Sequence, residues 1–128
     1  MRGRSSAHWW GTALEAPDPA ALAGFYSTLL GWPIVDSEPD TVVIRPPQDG
    51  VFMVFQRADD YEPPVWPTIP GRQRPMMHLD IEVNDLDVSA ADAVALGAQL
   101  ADSQPRPNVR VLLDPAGHPF CLCLDTED

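Results

Sequence analysis

A chain of 128 residues and 14.0 kDa has the length of one domain, and 45% hydrophobic against 21% charged residues is globular composition, which argues against disorder. Nineteen acidic against eight basic residues leave a net charge of −11, a field that repels phosphate backbones and anionic lipid surfaces and so excludes nucleic acid and membrane partners from the expectation. No stretch approaches the ~18 apolar residues of a membrane span. Met1 to Ser6 has no long apolar segment after its basic residues, and Cys121 and Cys123 lie two apart on one predicted strand, where a disulfide would be strained. A cytoplasmic protein with reduced thiols is expected.

In chain order, His8 to Ala16 reads as a strand closed by Pro17. Asp18 offers a helix N-cap with Pro19 at the first helical position, Leu22, Phe25, Tyr26 and Leu29 form one apolar stripe, and Gly31 stops the helix. Trp32 to Val35, Thr41 to Ile44 and Val51 to Phe55 follow as a meander of three short strands. Residues 58 to 75 hold five of the fifteen prolines without apolar periodicity and form a connection. Met76 to Val83 then alternates, with Met77, Leu79, Ile81 and Val83 on one face and His78, Asp80 and Glu82 on the other. Asp85 to Leu96 reads as a helix ended by Gly97, and strands near Gln99 to Ser103, Val109 to Leu113 and Phe120 to Leu124 complete the chain.

The order of elements repeats. Glu15-Ala16-Pro17-Asp18 matches Glu82-Val83-Asn84-Asp85 at one offset, and Leu30-Gly31 matches Leu96-Gly97 one residue out of register. The expected architecture is α+β: one domain over 1–128, with module one at about 8–57, a linker at 58–75 and module two at about 76–125. Two tandem βαβββ modules would form a curved mixed sheet around a concave cavity, helices on the convex side.

The segment from Asp18-Pro19 through Phe25-Tyr26 to Leu30-Gly31-Trp32, His78 before a Val83-Asn84-Asp85-Leu86 turn, and Asp114-Pro115-Ala116-Gly117-His118-Pro119-Phe120 together resemble the vicinal oxygen chelate superfamily. That group holds glyoxalase I, extradiol dioxygenases, fosfomycin-resistance enzymes and bleomycin-binding proteins. The resemblance implies the paired modules and a homodimer but no single reaction, since lyases, oxygenases and binders share this fold. In metal-using relatives, a His or Glu from the first strand of each module and a carboxylate or His from the last strand hold a divalent ion.

Transferred position by position, the second-module first-strand ligand falls on His78, and its mate at the repeat offset is Gly11, which has no side chain. The second-module last-strand ligand falls on Cys121, where relatives usually have glutamate. Its first-module equivalent is Met53 or Val54, since the register of 51–56 is open, and neither is a carboxylate. Two of four positions are too few for an octahedral ion. Asp80, Glu82 and Gln56 allow a rearranged site, in which His78 and Glu82 are the weak metal candidates. His118 reads as a turn residue. No nucleophile elbow, phosphate loop, zinc spacing or dinucleotide fingerprint is present.

Aromatic residues are plentiful, and parity with Gly11 points Trp9 to the cavity and Trp10 to the helix, while Trp66 between prolines edges the mouth. Aromatic walls with a few carboxylates suit a flat or cationic ligand. The expectation is a metal-independent small-molecule-binding homodimer without a cofactor. Its pocket takes His78, Gln56, Cys121, Trp9, Trp66, Asp80 and Glu82. One alternative is a lyase, isomerase or dioxygenase of glyoxalase type with a rearranged divalent-metal site; another is a structural or partner-binding module. The ligand, and whether modules pair within a chain or between chains, stay open.

Overall fold

Asp18 and Asp85 begin the two helices in the same manner. Each takes an extended backbone, and its carboxylate accepts a bond from the amide three residues on: Ala21 N at 3.1 Å and Val88 N at 3.0 Å. The first helix, α1, spans Pro19–Leu30, its Pro19 supplying a preset φ where no amide is needed, and it ends at Gly31 with φ 70°, a left-handed turn that glycine adopts without a Cβ clash. The second, α2, spans Leu86–Ala95.

The computed structural model describes residues 1–48 and 50–124. Its elements run β1 (Trp10–Ala16), α1, β2 (Ile34–Glu38), β3 (Thr41–Ile44), β4 (Val51–Arg57), β5 (Leu79–Val83), α2, β6 (Gln99–Leu100), β7 (Val109–Leu113) and β8 (Pro119–Leu124). The module order read from the sequence is therefore present twice. Hydrogen bonding gives two four-stranded sheets of mixed sense, ordered β1-β4-β3-β2 and β5-β8-β7-β6, each with one parallel pair at an edge followed by two antiparallel ones. The chain divides into two units, Met1–Tyr61 and Glu62–Asp128. Neither helix is long and apolar enough to cross a membrane.

In the first unit, α1 packs on β3 and β4. Leu22, Phe25 and Tyr26 of the predicted stripe are buried with Val42, Ile44, Met53 and Phe55, and the Tyr26 and Phe55 rings stack at 5.8 Å; Leu29 is only half-buried. In the second, Leu112, Phe120 and Leu122 form the sheet side of the core, but α2 buries only Leu86 and Ala93. Its Ala90, Ala91 and Ala95 are too short to fill the space above the sheet edge, and a groove of about 490 Å³ opens there, lined also by Asp87, Val94, Leu100 and Arg110.

The first strand starts at Trp10 rather than His8 and the second runs over Ile34–Glu38 rather than Trp32 to Val35, and three further placements depart from the sequence reading. The strand expected from Met76 starts at Leu79, and Met76 and Met77 are 83% and 82% exposed. The partner strand explains this: Leu79 pairs with Phe120, the residue before it is Pro119, and a proline has no N–H with which to continue the ladder. The strand expected over Gln99 to Ser103 keeps only two residues, because the Gln104 side chain takes over its partner's edge, donating to Val111 O at 2.8 Å and accepting from Val111 N at 2.9 Å. Trp10, assigned to the helix side, is 59% exposed at the strand start and contributes no core.

Candidate functional site

The strand registers decide which side chains can meet. In the second unit β5 and β8 run parallel with Asp80 opposite Cys121 and Glu82 opposite Cys123, all four on the face away from α2. His78, just ahead of β5, shares that parity, and its Nε2 lies 3.2 Å from Asp80 Oδ1. His78, Asp80 and Cys121 offer ligand atoms all within 4.8 Å of one another, a cluster on which the sequence singled out every member. Asp80 is its centre, paired with the imidazole on one side and hydrogen-bonded by the Cys121 thiol on the other.

Burial, the Asp80 carboxylate, the neighbouring Cys123 and the hydrogen bond to Asp80, in that order, push the Cys121 thiol from its ordinary value of 9.0 up to about 11. Cys123 is also raised, by burial first and then by Asp80, with Arg106 opposing. Both cysteines are free and half-buried. A thiol that keeps its proton is a weak nucleophile, and this one is suited to donating a hydrogen bond to Asp80.

In the first unit β1 and β4 are parallel at the same repeat offset: Ala13 is opposite Val54 as Asp80 is opposite Cys121, and Gly11 is opposite Phe52. The uncertainty between Met53 and Val54 is thereby resolved, since Met53 is buried against α1 and Val54 faces the other way. Gly11 is more than an empty position. A Cβ placed there would collide with the Phe52 ring, which lies across the glycine. The first-module half of the relatives' ligand set therefore holds a phenyl ring over glycine and a valine. The residues present do not fit the four-position divalent site of those relatives.

The other predicted residues are dispersed. Gln56 is exposed at the end of β4, between Glu15 and Thr41. Glu82 is exposed and sits opposite Cys123, outside the His78 cluster. Trp9 is 38% exposed and carries the Arg45 guanidinium 5.0 Å from its ring centroid, a cation–π contact that covers part of the indole. Trp66, half-buried in the segment between Tyr61 and β5, has a buried indole Nε1 without a hydrogen-bond partner among the described residues. The groove beneath α2 contains none of these residues.

Two features exceed the sequence reading. The sequence did not single out Phe52, which lies inside the predicted strand from Val51 to Phe55, and the signal that could have raised it was the Gly11 position itself, since a strand glycine often marks close approach by another group. His118 is indeed in the turn, but its Nδ1 also lies 2.9 Å from Asp114 Oδ2, and the buried Asp114 accepts from the amides of Ala116 and His118. This is a built-in turn lock, folded by Gly117 at φ 94°.

A family model described as a glyoxalase-like domain matches residues 6–123. No curated protein sequence matches the chain. Among solved structures, a glyoxalase/bleomycin resistance protein/dioxygenase family enzyme from Burkholderia phytofirmans PsJN is 16% identical with a TM-score of 0.68, covering 89% of this chain and 95% of that one. Lactoylglutathione lyase from Agrobacterium tumefaciens is 21% identical with a TM-score of 0.59, covering 94% and 95%. TnmS3, an antibiotic binding protein from Streptomyces sp. CB03234, is 16% identical with a TM-score of 0.59, covering 97% and 98%. At these identities the likeness is one of fold.

Proposed function

The chain belongs to the glyoxalase-like domain family, and from that membership we propose that it binds a small aromatic or cationic compound without a metal, as a cytoplasmic homodimer that sequesters its ligand. The observation that carries this reading is the phenyl ring lying over Gly11, with Val54 beside it, where metal-using relatives present ligands. The antibiotic-binding activity of a protein with the same fold agrees with it. The acidic surface adds attraction for cations.

The test is a thermal-shift screen across a broad small-molecule library, with divalent metals and a chelator as separate arms. A ligand at about 100 times its Kd stabilises the fold by about 2.7 kcal/mol, enough to raise the melting temperature by several degrees. Shifts produced by organic compounds and unaffected by chelation support the proposal. Close to one tightly bound divalent ion per purified chain, with an activity that chelation abolishes, defeats it. Gel filtration at micromolar concentration tests the dimer.

The convergence of His78, Asp80 and Cys121 favours one second reading, an enzyme of glyoxalase type using a rearranged site. His78→Ala separates the two. Loss of turnover in a folded variant indicates an enzyme, whereas altered ligand affinity alone indicates a binder.

A further inference from the structure

We propose that Phe52, seated on Gly11, is a stacking platform for a planar aromatic cation bound on the face of the first sheet opposite α1; this deepens the small-molecule-binding reading and rests on it. The residues of that face follow from register. Gly11, Ala13 and Glu15 of β1 lie beside Phe52, Val54 and Gln56 of β4, then Val43 and Thr41 of β3, then Asp36 and Glu38 of β2. Its middle is apolar and half-buried, and its far end and outer edge are acidic.

Glycine at 11 lets the Phe52 ring lie down on the strand, and any larger residue would drive the ring off. A ring held that way presents a flat surface. Val54 and Val43 continue the apolar floor along the sheet. Glu15, Asp36 and Glu38 are exposed and have no ion-pair partner among the described residues, so their charge is available to a ligand. Gly11 and Glu15 are about 13 Å apart along the strand, at about 3.3 Å per residue. The occupant that complements this face stacks its ring on Phe52 and carries its positive charge toward the carboxylates.

The probe is ethidium, a planar aromatic cation, titrated calorimetrically into the full chain, with tetraethylammonium as a cation that cannot stack. Ethidium binds and tetraethylammonium does not. Stacking on an aromatic side chain is worth about 1–3 kcal/mol, so Phe52→Leu weakens ethidium binding by about fivefold or more. Phe52→Trp, which keeps a flat ring, stays within about threefold of the parent, and Glu15→Gln weakens binding in a manner that added salt erases. Circular dichroism and melting temperature verify that each variant is folded. Equal affinity of Phe52→Leu and the parent, or no ethidium binding by the parent, overturns the platform. If other library compounds still bind without metal, the general reading survives that loss. A chelation-sensitive activity with a resident ion ends the general reading whatever Phe52 does.

Discussion

The coupling of Cys121 to Asp80 makes a quantitative prediction about thiol chemistry. A rise from 9.0 to about 11 lowers the thiolate fraction at pH 8 about a hundredfold. The thiolate that does form is more basic and therefore more nucleophilic, which recovers roughly tenfold for a Brønsted slope of 0.4–0.5, so the net reaction is about tenfold slower than for an unperturbed thiol. The assay is the pH profile of reaction with a neutral dipyridyl disulfide, read by chromophore release in a Cys123→Ser background. That background removes one of the lesser causes of the shift, so its inflection lies somewhat below 11 but above 9.0. Adding Asp80→Asn removes the negative charge and weakens the thiol's acceptor while burial, the largest cause, remains. The inflection then moves down and still stays above 9.0. An unmoved or raised inflection in the Asp80→Asn variant, or one at or below 9.0 with Asp80 intact, refutes the reasoning. The same shift makes stability depend on pH: the folded thiol holds its proton more tightly than the unfolded one, so this contribution is complete below about pH 9 and is lost as pH climbs toward about 11.

Other consequences of the geometry can be read from stability. Gly11→Ala overpacks the strand against the Phe52 ring and costs about 1–3 kcal/mol in urea denaturation, and a Phe52→Ala background removes most of that cost; equal cost in both backgrounds contradicts the ring contact. Gln104→Ala strips both backbone groups of the buried Val111 of their side-chain partners, costs about 1–3 kcal/mol, and speeds hydrogen exchange of the Val111 amide, whereas an unchanged exchange rate removes the proposed strand substitution. Asp114→Ala leaves two amides and the His118 ring without their acceptor and costs about 3–5 kcal/mol by the same measurement, with Asp114→Asn milder because one amide oxygen remains; a loss below about 1 kcal/mol rejects the lock. Phe55→Ala opens a cavity beside Tyr26 and costs about 3–5 kcal/mol, and a near-neutral effect rejects the core assignment.

The helices were legible because their signals are local. Asp18 followed by Pro19, and Gly31 after Leu30, say where α1 begins and ends, and both caps lie within a few residues of the groups they satisfy. The alternation from His78 to Glu82 likewise put His78 and Asp80 on one face, the family resemblance added Cys121 as a candidate, and the strand pairing brought those three together. Strand ends were read less well, because they depend on the partner. Nothing near Met76 announces that Pro119 ends the ladder, and nothing near Gln99 announces that Gln104 serves the edge of β7.

By itself, then, the order of residues determined two similar modules, the caps and core stripe of α1, an acidic surface, and the missing donor at Gly11, while the choice between Met53 and Val54 waited on the strand register. Only the tertiary structure decided what takes the donors' place. The glycine could be read as a gap, but the Phe52 ring that fills it comes from another strand, and so does the thiol that burial and the Asp80 carboxylate together keep protonated. Periodicity reports which face a side chain takes because it depends on the backbone repeat of one element. Which side chain it meets depends on cross-strand register between distant segments, and that is set when the sheets assemble.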